Sequence, residues 1–382
     1  MRTQLFLASL AIPFASVVAL AQPATMVYRL GPDTLAVEQY THANNRITGE
    51  MVVRVPGPVA RVKYDVAVGA DGRPMTAIIT RMQADGSPPV AGAREYRIRI
   101  TADSAYRETV FADSTSRVAL AVKKAMINFP VYVYGPSELL SALKKGGTPM
   151  DSVPAIGVGG GVQFTGLAAM KGDTVHLVGP AYAMNMRFDA KNQLLLVDGK
   201  FTTNKAYATR ANGTVDIAAI AKSMKPSGVL SVRDFARASF GPGGMVDIDY
   251  GRPMVRDRTV WGGLLIPFDS VWRAGANDAT HMFTTRELTI GDMKLKAGMY
   301  TLWVQHTHNG TFLIVNSQVG QWGTQYNASR DIGRVAMQMT PATAPVEEFT
   351  ISIRPQGNRG VIEMAWGPMV ASVPFTVSGA QP

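Results

Sequence analysis

The 382-residue chain carries 38 Lys and Arg against 28 Asp and Glu, a net charge of +10, and no cysteine. Without thiols, disulfide scaffolding, cysteine catalysis and an N-terminal lipid anchor on cysteine are excluded, so stability must come from a packed core. Hydrophobic content of 46% with 17% charge is that of a globular chain, long enough for about two domains.

Residues 1–21 read as a secretory signal peptide. Arg2 supplies the positive start, Leu5 to Leu20 an apolar run broken by Ser9, Pro13 and Ser16, and Ala19-Leu20-Ala21 a small-x-small cleavage site. The run is too short and too interrupted to span a bilayer comfortably, and no later segment is long and apolar enough. An exported protein, periplasmic or extracellular, is expected, with no transmembrane segment after cleavage.

Almost everything after Gln22 alternates with a period of two. Arg46 to Val55 places Ile47, Met51, Val53 and Val55 opposite Thr48, Glu50 and Arg54. Pro58 to Val68 places Ala60, Val62, Tyr64, Val66 and Val68 opposite Arg61, Lys63 and Asp65, and Tyr96 to Thr101 repeats the pattern. One apolar face on successive strands is the mark of antiparallel sheet packed on one side. Turn chemistry falls at Asn44-Asn45, Asp71-Gly72, Gly86-Ser87-Pro88-Pro89, Asp189 to Asn192 and Asp198-Gly199. Two short helices interrupt the strands. One begins at Gly135-Pro136-Ser137-Glu138 and stops at Gly146-Gly147; the other spans Asp216 to Met224. Lys225-Pro226-Ser227-Gly228 then reads as a linker, dividing residues 24–226 from residues 229–379.

The second part is all strand. Met245 to Tyr250, Glu348 to Ile353 and Gly360 to Trp366 alternate, and Tyr300 to Val304 and Phe312 to Val315 are continuously apolar around an Asn309-Gly310 hairpin signal. The fold class expected is mainly β. It combines an N-terminal antiparallel, half-barrel-like sheet with short helices and a C-terminal β-sandwich or jelly roll of eight to ten short strands.

The second domain resembles the bacterial exported domain-of-unknown-function family 2911. The matching residues are Tyr250-Gly251-Arg252-Pro253, Trp261-Gly262-Gly263-Leu264, Ile266-Pro267-Phe268, Trp272-Arg273-Ala274-Gly275-Ala276-Asn277 and Lys296 to Leu302. Asn316, Gln321-Trp322-Gly323-Thr324 and Trp366 complete the set, over about residues 229–377. The resemblance implies an exported β-rich domain, often in envelope contexts, with no established activity; Trp261 stands where the family more often carries phenylalanine. The first domain looks, in architecture alone, like half-barrel carriers of lipoproteins or lipids in the periplasm.

Within the second domain, Arg252, Arg258, Arg273 and Asn277 could converge on a polar pocket with Trp261, Trp272 and Trp322 as stacking walls. Guanidinium groups hold carboxylates and phosphates, and an asparagine amide both donates and accepts. The same residues could instead satisfy buried loop carbonyls while the indoles fill a core. His306 and His308, two apart on one strand, are the metal-ligand candidates, with His281 or Asp278 as a third ligand. Their position before a hairpin turn equally suits exposed polar residues. Asp247 and Asp249 share a strand face, either as a carboxylate pair for acid–base work or as the wet side of the strand. Gly157-Val158-Gly159-Gly160-Gly161 lacks the βαβ context of a nucleotide loop and suits a loop or bulge. No nucleophile elbow is present, so no catalytic residue is assigned and no cofactor is expected.

The basic residues are scattered (Arg97 and Arg99, Lys123-Lys124, Lys144-Lys145, Arg252 to Arg258) rather than striped with aromatics, so nucleic acid is not an expected partner. The reading reached is an exported, non-enzymatic β protein that binds a lipid, a sugar-like or anionic small molecule, or an envelope component. Two alternatives stand beside it: a hydrolase using an Arg/Asn/Asp cluster, and a protein–protein interaction module.

Overall fold

The computed structural model describes residues 22–54, 57–130, 132–143, 151–159, 161–169, 172–179, 182–202, 205 and 207–379. The signal peptide expected over residues 1–21, Val55, Lys144-Lys145, the Gly146-Gly147 helix stop and Gly160 lie outside them. The chain is mostly β, with 59% strand and 5% helix, in large antiparallel sheets.

The first sheet holds fifteen strands among the described residues. Its path starts at Thr115–Ala121 and runs backward through sequence neighbours to Ala24–Leu30. It crosses there to Tyr207–Ala211 and runs backward again to Met126–Asn128. Asn44 and Asn45 make the hairpin between Asp33–Ala43 and Arg46–Val53 with φ of 51° and 57°, the left-handed conformation that asparagine tolerates best among residues with a Cβ. The sheet curls without closing into a barrel. Arg107, from the strand next to one end, reaches across the curl to donate to the Gly157 carbonyl on the strand next to the other, at 2.7 Å.

The concave face is occupied by the chain itself. Tyr40, Gly49 and Tyr64 stand in register on three adjacent strands. A Cβ on Gly49 would lie 2.3 Å from the Tyr64 hydroxyl and 2.8 Å from the Tyr40 Cβ, so only glycine lets the two rings fold over it. The turn Gly135–Ser137 and helix Glu138–Leu143 sit on those rings, in a core shared with Met26, Tyr28, Met51, Leu139 and Leu194. Two buried carboxylates anchor this plug. Glu38 accepts from the Tyr64 hydroxyl (2.6 Å) and from the amides of Tyr134 (2.9 Å) and Gly135 (3.0 Å). Glu138 accepts from the Tyr40 hydroxyl (2.6 Å) and the Leu194 amide (3.0 Å), and pairs with His42 at 2.9 Å. The apolar surface that a carrier would offer to a lipid is thus covered by Tyr132, Val133 and Leu139.

Two details differ from the sequence reading. Asp198 and Gly199 lie inside the strand Leu194–Phe201, where Asp198 pairs with Asn185 and Tyr207; the chain turns only afterwards, with the Thr202 amide donating to the Gly199 carbonyl. Ladder partners on both sides outweigh the local turn preference. Arg61, placed by alternation on the wet face, is 8% exposed, held by Glu50 at 2.6 Å beneath the Gly86 turn. The helix Ile217–Ser223, capped by the Asp216 side chain on the Ala219 amide, buries Ile217 and Ala221 on the outer face against Val37 and Val52.

The second sheet runs Val232–Ser239, Met245–Arg252, Thr280–Thr284, Gly298–Thr307, Gly310–Asn316, Asp331–Gln356, Arg359–Val377, Leu288–Ile290 and Met293–Leu295, with Val271–Trp272 paired to Gly298–Thr307. Two of these are not the short strands expected: Asp331–Gln356 has 26 residues and Arg359–Val377 has 19. The register breaks between Pro341 and Thr350, and beyond the break Phe349 and Ile351 lie over Tyr250. A strand that bends at an irregularity and serves both layers turns one sheet into a sandwich. Its core holds Tyr250, Trp272, Leu302, Phe349 and Trp366.

Candidate functional site

After Trp272 leaves its strand the chain makes a tight loop, Arg273 to Asn277, before Thr280 begins the next. Ala274 (φ 48°) and Asn277 (φ 63°) adopt the left-handed conformation, uncommon for alanine. Surrounding contacts over-determine it. The buried Thr280 hydroxyl donates to the Ala274 carbonyl at 2.7 Å, and the Gly323 amide donates to the Asn277 carbonyl at 2.9 Å. Two glycines make room. A Cβ on Gly251 would lie 2.2 Å from the Ala276 carbonyl oxygen, and one on Gly323 would lie 2.0 Å from the Arg273 Cδ. The Arg273 stem therefore crosses directly over Gly323, and the side chain is 6% exposed. Beneath it the indoles of Trp272 and Trp366 stack at 5.3 Å, with Phe349 edge-on to both at 5.0 and 5.7 Å.

Arg273 faces a cavity of about 50 Å³ where the two sheets meet. That is room for roughly four waters. The second sheet contributes Met254, Arg256, Arg258, Leu265, Trp272, Asn277 and Trp366; from the first come Leu30 and Lys205. Arg258 is held by its own loop, donating to the carbonyls of Val255 (2.9 Å) and Met254 (2.7 Å). Arg256 pairs with Asp33 of the first sheet, and the Gly31 backbone packs so closely that a Cβ there would lie 2.2 Å from the Arg256 carbonyl oxygen.

The electrostatics are one-sided. Four cations and no carboxylate line the cavity among the described residues; Asp33 pairs with Arg256 and Arg54, and Glu347 and Asp33 favour the charge of Arg258. Burial pushes the Lys205 ammonium down to about 8, and the nearby charges of Arg273 and Arg258 push in the same direction. Burial lowers Arg273 to about 10; burial and then the Arg256 charge lower Arg258 to about 10. All three remain cationic at neutral pH. The buried indole N–H of Trp366 finds no acceptor among the described residues. Guanidinium and ammonium groups are donors of the kind that hold carboxylates and phosphates.

This loop and its glycine and tryptophan supports lie within the stretch that a family model matches. Residues 233–375 match DUF2911, a protein family of unknown function. No curated protein matches the chain. Among solved structures, a DUF1089 family protein from Pseudomonas aeruginosa is 10% identical with a TM-score of 0.33, over 43% of this chain and 89% of its own. An engineered GH43 glycoside hydrolase with endo-xylanase and exo-arabinofuranosidase activity is 12% identical with a TM-score of 0.16, over 92% of this chain and 81% of its own. Likenesses this distant carry no functional argument.

Within the DUF2911 region the structure brings Arg258, Trp272, Arg273 and Asn277 around one cavity and separates the other candidates from it. Arg252 points to Asp234 and Glu348, both at 3.0 Å, and ties the two layers of the sandwich together. Trp322 forms a backbone bridge to Asp278 and supports the loop from outside. His306 and His308 stack on Phe268 at 4.9 and 4.0 Å, His306 bonds Thr311, and His281 instead accepts from the Gly320 amide. No group of three metal-ligating side chains occurs among the described residues. Asp247 and Asp249 pair with different arginines, Arg237 and Arg233, on the outer face, and Asp278 turns outward toward Arg233 as well. Among the described residues, Asp247, Asp249 and Asp278 thus stand outside the lining of the Arg273 and Asn277 cavity.

Lys205, Arg256 and Trp366 also line the cavity, and the sequence reading does not place them there. Trp366 carried a signal, as part of the family pattern. Lys205 carried none, because it enters from the other sheet, 68 positions before Arg273.

Proposed function

We propose that this is an exported, non-enzymatic binding protein that takes a small anionic ligand in the cavity between its two β units. The observation that carries the reading is the set of Lys205, Arg258 and Arg273 around one void that no carboxylate lines among the described residues, where the Trp366 N–H likewise finds no acceptor. The void admits the charged end of a ligand and not a drug-sized molecule. A lipid chain gains no such support, because the concave face of the first sheet is filled.

Native mass spectrometry of the mature chain, set beside its denatured mass, tests this directly. A retained anionic adduct that Arg258→Met releases is the expected result. Calorimetry with acetate, phosphate and sulfate, using a neutral sugar as control, gives the second test. Equal and negligible heats for all four would refute the proposal.

A further inference from the structure

We propose that the strand Val232–Ser239 is a docking edge for a second copy of this chain, which adds its own Val232–Ser239 antiparallel to it across a twofold axis. The strand is outermost in the second sheet, and among the described residues no strand pairs with its outer side. Its eight residues run in unbroken register along Met245–Arg252. Just beyond the strand the Phe240 amide donates to the Gly244 carbonyl. Even-numbered residues therefore bond inward along this ladder, and odd-numbered ones present N–H and C=O groups outward. The Phe235 amide fits: it donates to the carboxylate of its own neighbour, Asp234, at 2.8 Å. Such a row of main-chain donors and acceptors is a template for another strand unless proline, a bulge or short length blunts it. This strand has no proline and no bulge, and it is longer than the three-residue edge Met293–Leu295 at the other end of the sheet.

The side chains choose the occupant. Ala236 and Ala238 face the core of the sandwich, and Arg233, Phe235 and Arg237 stand on the outer face, where Phe235 is 62% exposed. Each charged residue of the strand is already paired within the sandwich: Arg233 with Asp249, Asp234 with Arg252, Arg237 with Asp247. The edge therefore selects a strand that brings no net charge of its own, and its own sequence is complementary to it. Antiparallel pairing about Ala236 sets Arg233 opposite Ser239, Asp234 opposite Ala238 and Phe235 opposite Arg237. No like charges meet, and each Phe235 ring lies beside the partner's Arg237, a cation–π contact. Pairing about Phe235 would instead set Arg233 opposite Arg237, which is destabilising. A twofold normal to the sheet keeps the alanines of both copies on the core side, so one layer of the sandwich continues from copy to copy.

The test uses the full mature chain. Sedimentation equilibrium over a wide range of concentrations should show monomer and dimer exchanging, and hydrogen–deuterium exchange over Val232 to Ser239 should slow as the dimer forms. Phe235→Pro removes an outward N–H without touching the ladder to Met245–Arg252, and should leave a monomer. Phe235→Lys alters only an exposed side chain, sets an ammonium beside the partner's Arg237 at two symmetric contacts, and should weaken dimerisation about tenfold. Far-ultraviolet dichroism verifies that both variants fold. Phe283→Lys, on the same face two strands inward, should dimerise as wild type does. Because the chain has no cysteine, Ser239→Cys carries a single spin label. The labelled positions of the two copies should stand about 20 Å apart, six residues along the strands, and a separation of about 27 Å would overturn the register. A monomer at every concentration overturns the proposal. So does a dimer that Phe283→Lys abolishes and Phe235→Pro spares, because the outer faces would then be stacking. Protection that appears at Thr115–Ala121, the edge of the first sheet, and not at Val232–Ser239 overturns it as well.

Discussion

Glu38 is wholly buried among donors, and burial raises its carboxyl to about 7 from an ordinary 4.5, outweighing the Tyr64 hydroxyl and the Tyr134 and Gly135 amides that pull it down. Folded protein therefore binds a proton more tightly at this site than unfolded chain does, so stability falls as pH rises between about 4.5 and 7 and levels off above. A shift of that size is worth about 3 kcal/mol, at 1.36 kcal/mol for each factor of ten in proton affinity. The perturbation is Glu38→Gln, which keeps an acceptor toward the plug and removes the titration. Urea denaturation of both proteins at half-unit steps from pH 4.5 to 8 gives the difference in unfolding free energy, cancelling groups common to both. Relative to the variant, wild type should lose about 3 kcal/mol across that range. A difference that stays flat, or that moves in favour of wild type as pH rises, would show that the amide donors dominate and that Glu38 is a permanently charged anchor.

Three further outcomes follow from the geometry. Gly323→Ala places a methyl 2.0 Å from the Arg273 Cδ; it should cost about 1–3 kcal/mol in thermal melts, and calorimetry should show oxyanion binding lost. Thr280→Val removes the donor on the buried Ala274 carbonyl and should cost about 1–3 kcal/mol by urea titration, since that oxygen is left desolvated. Lys205 has a depressed folded pKa, so unfolded chain binds its proton more tightly. In phosphate-free buffer, wild-type stability should rise as pH climbs from about 8 to 10.5, and Lys205→Met should abolish that rise.

What the amino-acid order determines by itself is the class of local structure. Alternation in Val62, Tyr64 and Val66 puts one face inward whatever lies opposite, because successive strand residues point to opposite sides. Asn44-Asn45 turns the chain because few other residues tolerate that conformation, and Asp216 starts a helix because its side chain reaches the orphan Ala219 amide. The loop from Arg273 to Asn277 was visible as a cluster of unusual residues. Its meaning was not: the same residues suit a pocket or a network of satisfied carbonyls, and residue type alone does not tell Arg252 and Trp322, which stand away from the cavity, from Arg258 and Trp272, which line it. Tertiary structure decided what long-range neighbours decide. It buried Arg61 and Glu38, carried a strand through Asp198-Gly199 because partners flank it on both sides, and bent a 26-residue strand to make the sandwich. It also brought Lys205 to Arg258 and Arg273. Charge convergence across two sheets leaves no periodicity in a sequence, since the contributing residues answer to different strands and meet only where the folded units touch.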